Sequence, residues 1–418
     1  MNPLSKLAES MVGSEIVRLG NEIAARIQAG ETIYNYTIGD FAPGVFPIPQ
    51  ELEDEIVNAY RNHKTNYPPA DGLAILRESV AHFIQKWEGI SYAQNEIQIS
   101  CGGRPLIYTV FRTIVDAGDK VIYAIPSWNN NHYTSMTGGV HCEIATTPEN
   151  DFMPTAADIA PHIKGATLLC LCTPQNPTGT TFSKEELEKI CDLVLAENNS
   201  RKPEEKKLYV MFDQMYFTLT FGETKHYNPV SLRPEMKQYT ILLDGISKAF
   251  SATGVRVGWA LGPEKVIAKM KALLSHVGGW APMAEQHAVA HYLKNDLAVE
   301  NFLNHFKSAI EDRLWKLNDG FKSLQSKGFA IDVIAPQAAI YLTVKIDLKG
   351  KKIADKTLNT QDDVTNFLIA EAGLAIVPFY CFGADRESPW YRISVGTCTI
   401  EDIKNMFIKL EVALNKLR

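Results

Sequence analysis

The chain has 418 residues, 45% of them apolar and 22% charged, and a formal net charge of −6. That length exceeds the roughly 250–300 residues at which single cores stop growing, so a large core with a second domain is expected. The acidic balance gives no electrostatic footprint for nucleic acid or an anionic membrane, and no apolar run approaches the roughly 20 residues that span a bilayer. The first residues, MNPLSKLAESMVGSEIVRLG, lack the apolar core of a signal peptide. The seven cysteines are scattered, with only Cys170 and Cys172 close in sequence, and an odd count points to free thiols in a reducing cytoplasm.

In chain order, residues 1–30 read as one or two amphipathic helices, with Ile16, Leu19, Ile23 and Ile27 at helical spacing. TIGDFAPGVFPIP follows as an extended, proline-punctuated segment. From about residue 50 to 290, short apolar runs alternate with helical patterns. IQIS, KVIYAI, HCEIA, ATLLCLC, KLYVMF, YTILLD and VGWALG are the candidate strands. This alternation predicts α/β architecture with a mostly parallel central sheet. The polar run AENNSRKPEEKK reads as a surface loop rather than a domain boundary. A long amphipathic helix is expected from about 297 to 328, then IYLTVKI, a helix over DDVTNFLIAEAG, WYRISV and a closing helix. Residues 46–295 are thus expected to form the large domain, and 296–418 a smaller α+β unit with which residues 1–45 pack.

In such a sheet, ligands bind beyond the carboxyl ends of the strands. After IQIS comes CGGRP and a helical run; Gly102 and Gly103 let the backbone approach an anion, and the helix start offers free N–H groups. After KVIYAI comes PSWNNNHY, where Trp128 could cover a planar ring. After ATLLCLC comes TPQNPTG, where Asn176 could present its amide to a ligand oxygen. Asp213 and Tyr216 follow KLYVMF. In DGISKAFSATGVRVGW, Lys248 lies among small and apolar residues, where an ammonium is costly to desolvate unless its charge is removed. A covalent bond from the amine to a carbonyl would remove it.

Each feature alone has a structural explanation. Together, in this order, NPTG, then D-x-x-Y, then SK with an arginine eight residues on, resemble the fold-type I pyridoxal-phosphate (PLP) aminotransferases, in the branch that includes bacterial aspartate aminotransferases. The resemblance runs from TIGDF to YRISV. It implies a seven-stranded, mostly parallel sheet, PLP as cofactor and transamination between an L-amino acid, with aspartate favoured, and a 2-oxo acid such as 2-oxoglutarate. Lys248 would bond to the PLP aldehyde and shuttle the substrate's Cα proton. Asp213 would hold the pyridine nitrogen protonated, and Tyr216 and Asn176 would hydrogen-bond the ring oxygen. Trp128 would stack on the ring, and Arg256 with the amides of Gly102, Gly103 and Arg104 would bind the phosphate. Tyr67 would reach the phosphate in a neighbouring subunit, which implies a homodimer with shared sites. Arg392 would bind the substrate α-carboxylate bidentately, with Gly39 adding a backbone contact.

Two positions depart from the family's commoner pattern. Gly245 stands where many relatives carry a hydroxyl residue that binds phosphate, and Ser247 or Ser251 could replace it. Arg104 stands where the branch carries a lysine implicated in gripping a distal carboxylate; an exposed helix-start arginine beside the phosphate loop is the other reading. Elimination or C–S lyase chemistry on the same cofactor, and transamination of aromatic or neutral amino acids, remain alternatives. The string GISKA falls one residue short of a hydrolase nucleophile elbow, with alanine in place of the second glycine. His287 and His291 form an i, i+4 pair without a third ligand, so no metal is expected.

Overall fold

A computed structural model describes residues 4–11, 13 and 15–418. Helices Lys6–Ser10 and Glu15–Gln28 occupy the stretch expected to be helical; residues 1–3, 12 and 14 of that expectation lie outside the described residues. Leu19 and Ile23 turn inward against Ile369 and Ala375, while Ile27 of the same stripe stays exposed.

The candidate strands become β1 Ile97–Ser100, β2 Lys120–Ile125, β3 Val140–Ala145, β4 Ala166–Cys172, β5 Tyr209–Asp213, β6 Thr240–Gly245 and β7 Gly258–Leu261. Among the described residues they make one seven-stranded sheet in the order β1-β7-β6-β5-β4-β2-β3. The five strands from β2 to β6 run parallel, and β7 is antiparallel to both β6 and β1. Because side chains alternate across a pleated strand, the inner strands feed two cores, whereas the edge strand β3 is largely exposed apart from Ile144. Leu169, Leu171, Phe212 and Leu242 pack on one face, with Phe83, Leu187 and Val289 of the covering helices. Leu168, Cys170, Met211, Ile241 and Leu243 pack on the other, with Leu106, Val110 and Met270. Burial on both faces explains why these strands read as unbroken apolar runs rather than as alternating ones.

A second sheet of β8 Ile331–Val333, β9 Tyr341–Ile346, β10 Val377–Pro378 and β11 Trp390–Ser394 is ordered β10-β11-β9-β8 and antiparallel throughout. Helices Gln361–Ala372 and Ile400–Leu414 cover it through Val364, Phe367, Leu368, Met406 and Leu410. The N-terminal crossing segment enters the same core with Tyr36, Phe41 and Phe46, and Tyr34–Asn35 pairs in parallel with Leu374–Ala375. The 31-residue helix Asp296–Ser326 serves both cores. Ala298, Val299 and Leu303 pack under the large sheet, whereas Phe306, Ile310, Leu314, Leu317, Phe321 and Leu324, three or four residues apart, face the small one.

One local expectation is corrected. The run 196–207 is not all loop, because helix Lys184–Ser200 takes its first five residues. Asn198 is the reason: its buried amide donates to the Leu208 carbonyl at 2.8 Å and accepts the Leu208 N–H at 2.7 Å. Arg201 then grips Glu197, one helical turn back, at 2.7 Å. A polar composition concealed an asparagine that works inside the fold.

Candidate active site

The carboxyl ends of β1, β4, β5 and β6 open into a cavity of about 330 Å³, closed on its far side by the small unit and the N-terminal segment. From the predicted set, Gly39, Gly103, Arg104, Trp128, Asn176, Asp213, Tyr216, Lys248, Arg256 and Arg392 line it.

After β1 the chain turns at Gly102 into the helix Gly103–Ile114. Gly102 has φ +87°, and a Cβ there would lie 2.3 Å from Arg256 Nη2, so only glycine fits. Arg256 itself adopts φ +64°, a left-handed conformation that a bulky residue holds only when its surroundings enforce it. Its guanidinium donates to the carbonyls of Cys101 at 2.9 Å and Thr253 at 2.7 Å. Among the described residues it has no carboxylate partner.

Lys248 lies on the four-residue helix Ile246–Ala249, which follows β6 directly. Its Nζ donates to the Gly39 carbonyl at 2.6 Å, with the rings of Phe41 and Tyr216 at 5.7 and 6.0 Å. Burial pulls its pKa down to about 8; Asp40 opposes the shift, and the charges of Arg392, Arg104 and Arg256 reinforce it. At pH 7 about a tenth of this amine is then unprotonated, far more than of an ordinary lysine.

Asp213 ends β5. Its carboxylate accepts the Met215 N–H at 3.1 Å, and burial raises its pKa to about 6 against that bond. No cation pairs with it among the described residues. Tyr216 OH meets Tyr341 OH at 2.5 Å, and burial pushes the Tyr216 phenol well above its usual range.

Arg392, on β11, is 2% exposed. Its guanidinium donates to Asn176 Oδ1 at 2.9 Å and to the Thr37 carbonyl at 2.7 Å, between the rings of Tyr341 and Phe382 at 4.6 and 4.9 Å. Nε has no partner, and burial lowers its pKa. A guanidinium buried beside neutral acceptors alone destabilises the fold by on the order of several kcal/mol. Arg104 is likewise without an acid and lies 5.2 Å over the Trp128 ring.

The glycine at 245 has a steric cause. A Cβ there would meet Gly258 Cα and the Val257 carbonyl oxygen at 2.8 Å, so β7 crosses too closely for a side chain at this position. Of the two serines, Ser247 lines the cavity, whereas Ser251 turns away to donate to the Phe46 carbonyl at 2.7 Å. Thr253 also lines the cavity, with its hydroxyl donating to Asp40 at 2.6 Å. Tyr67 stands apart: it is 82% exposed, edge-on to Trp280, outside the cavity of its own chain.

Sequence reasoning missed Asp40, Cys172, Met215, Thr253 and Tyr341, all in the cavity wall. Asp40 had a signal, since it adjoins Gly39 in the TIGD string. Tyr341 had none, as it reads as one more aromatic on an apolar strand.

The chain belongs to the aminotransferase class I and II family, whose model matches residues 43–410. It is an aminotransferase. It is 30% identical over 357 residues to an aspartate aminotransferase of Bacillus sp. (strain YM-2), a match that covers 84% of this chain and 85% of that one. It is 29% identical over 393 residues to the aspartate/prephenate aminotransferase of Thermus thermophilus, covering 93% and 94%. Among solved structures, a double mutant of the Thermus thermophilus aspartate aminotransferase superposes with a TM-score of 0.87 at 25% identity, over 99% of this chain and 100% of that one. The aspartate aminotransferase of Rhizobium meliloti superposes with 0.90 at 23% identity over both whole chains, a likeness of fold.

Proposed function

We propose that the cavity binds pyridoxal 5'-phosphate and that the protein transfers an amino group between an L-amino acid, aspartate foremost, and a 2-oxo acid such as 2-oxoglutarate. The observation that carries this reading is a set of charged groups around one cavity that form no ion pairs among the described residues. A depressed lysine and an unpaired buried carboxylate sit with three arginines that have only neutral partners. The donor set fits the cofactor group by group. Asp213 offers an acceptor to a protonated ring nitrogen, and Arg256 with the helix start at Gly102, Gly103 and Arg104 offers donors to a phosphate. Tyr216 and Asn176 suit the ring oxygen, and Trp128 suits a ring face.

When bound, the cofactor supplies an aldehyde that links to an amine and a pyridine ring that takes up the electron pair left when a substrate Cα–H bond breaks. The rest is work for this chain's side chains. Lys248 would be the amine that holds the group and, once a substrate amine has displaced it, would accept the proton from the substrate Cα and return it during the transfer. Asp213 keeps a proton on the ring nitrogen. Arg392 binds the α-carboxylate through two parallel N–H bonds, with Gly39 between it and the Tyr341 hydroxyl. Arg104, exposed at the cavity and with no acid partner among the described residues, receives a distal carboxylate, which favours a dicarboxylic substrate; the similarity to aspartate aminotransferases supports aspartate.

The same reading divides the molecule into a cofactor-binding unit, residues 46–295, and a smaller unit of residues 1–45 and 296–418, supported by the two separate cores. It makes the enzyme a homodimer in which Tyr67 completes the neighbour's phosphate site; the 82% exposure of that tyrosine supports the role. A cytoplasmic location accords with seven unpaired cysteines. No described helix is long and apolar enough to cross a membrane.

The test is an absorption spectrum of the protein with PLP, before and after L-aspartate and then 2-oxoglutarate. A visible band that aspartate bleaches and 2-oxoglutarate restores is expected. A band indifferent to aspartate would contradict the substrate, and no band at all would contradict the cofactor.

A further inference from the structure

The turn that carries both Asp213 and Tyr216 is fastened from behind, on the side away from the cavity. Gln214 lies within it and is fully buried. Its backbone N–H donates to the Leu243 carbonyl at 3.0 Å, and its carbonyl accepts the Phe217 N–H at 2.8 Å. Its side-chain Nε2 donates to Glu88 Oε1. The other oxygen of Glu88 accepts Asn228 Nδ2 at 2.6 Å. His226 Nε2 lies 3.4 Å from Gln214 Oε1 and 3.7 Å from Glu88 Oε2. The Glu88 side chain is 2% exposed and that of His226 is 8% exposed.

The polarity of this cluster is determined. Asn228 Oδ1 is already occupied by the Ser231 N–H at 2.8 Å, so its NH₂ must face Glu88. Burial raises the Glu88 pKa to about 7, against the bonds from Gln214 and Asn228, and opposite its ionised carboxylate residue 214 has to be a donor. A glutamate at 214 would set two acceptors against each other, at a cost of the kind that unpaired buried charges bring. Among the described residues the Asp213 carboxylate, for its part, accepts one hydrogen bond, from the Met215 N–H. Its aim therefore depends on the backbone that Gln214 pins.

We propose that Glu88 is a positioning residue: by anchoring the Gln214 side chain it sets the turn that aims the Asp213 carboxylate and the Tyr216 hydroxyl into the cavity. The inference rests on the reading of Asp213 and Tyr216 as cofactor contacts. Neither Glu88 nor Gln214 lines the cavity.

The experiment compares wild type with Glu88→Gln, Gln214→Glu and the double exchange Glu88→Gln/Gln214→Glu, which swaps acceptor and donor in place. Three quantities are read: the PLP dissociation constant of the apo-protein by titration, the pH titration of the visible band, and the thermal midpoint without PLP. Each single variant is expected to weaken PLP binding about tenfold and to shift the band's titration, and the double exchange to recover most of both. The inference is overturned if the single variants lower the thermal midpoint while PLP affinity and the band's titration stay at wild-type values. It is also overturned if the double exchange binds PLP no better than the weaker single variant. Wild-type protein that forms no band with PLP overturns the cofactor reading, and this inference with it; a normal wild-type band with unaffected variants overturns this inference alone.

Discussion

Arg233 and Arg392 carry the same side chain in opposite settings. Arg233, about a third exposed, grips Asp192 at 2.8 Å and Glu188 at 3.1 Å. Arg392 is buried with an amide oxygen and a backbone carbonyl for company, and its Nε has no partner. At the surface the fold supplies its own counter-charge. In the cavity it withholds one, and the resulting instability is offset only when a ligand brings the missing anion. Arg256 likewise donates only to backbone carbonyls, whereas Arg201, whose side chain is 8% exposed, has Glu197 as its counter-charge.

The contrast can be broken at several points. The largest effect belongs to Lys248→Ala, which is expected to lower the transamination rate by more than about 10⁴-fold, since it removes both the covalent link and the proton carrier. The thermal midpoint should not fall, because a poorly solvated amine is lost with it; unimpaired turnover would refute the mechanism. Arg392→Ala should cost about 10²- to 10³-fold in kcat/KM for α-carboxylate substrates, the worth of a bidentate charged pair. Equal kinetics in a steady-state assay would remove Arg392 from the site. A third expectation sharpens the comparison through pH. Only the neutral amine attacks an aldehyde, so the rate at which apo-protein takes up PLP should climb with pH and level off above about 8, the depressed pKa of Lys248. From pH 7 to the plateau the rise should be about tenfold, whereas an ordinary lysine titrating near about 10.4 would still be gaining rate well beyond pH 9. The smallest effect is that of Arg233→Ala: kcat/KM unchanged, and stability within about 1 kcal/mol by denaturant titration, as exposed ion pairs go.

Much of this arrangement was legible in the sequence, for reasons that differ by residue. The strands of the large sheet declared themselves because both faces are buried, which leaves unbroken apolar runs. Asp213 stood out because an acid directly after such a run needs an explanation, and Lys248 because an ammonium among small and apolar residues does, whereas Asn176 reads locally as a turn and gained a role only through the resemblance. Arg392 was legible only through the resemblance, since an arginine on a short aromatic strand has no local signature of burial. Tyr341 stayed hidden because what matters is its hydroxyl, which tertiary packing brings to Tyr216 from 125 positions away. The choice between Ser247 and Ser251 was equally closed to pattern reading. In the fold Ser251, at a backbone φ of +53°, donates its hydroxyl to the Phe46 carbonyl, while Ser247 lines the cavity. The helix through Asn198 was lost for the opposite reason, because composition there spoke for solvent while one amide faced inward.

The most direct test of the central claim is to incubate the apo-protein with PLP, reduce with borohydride and map the modified residue by peptide mass spectrometry. The expected result is a stoichiometric adduct on the peptide that contains Lys248, absent at pH values where the amine is fully protonated. An adduct on another lysine, or none, would contradict the assignment of this cavity as the active site.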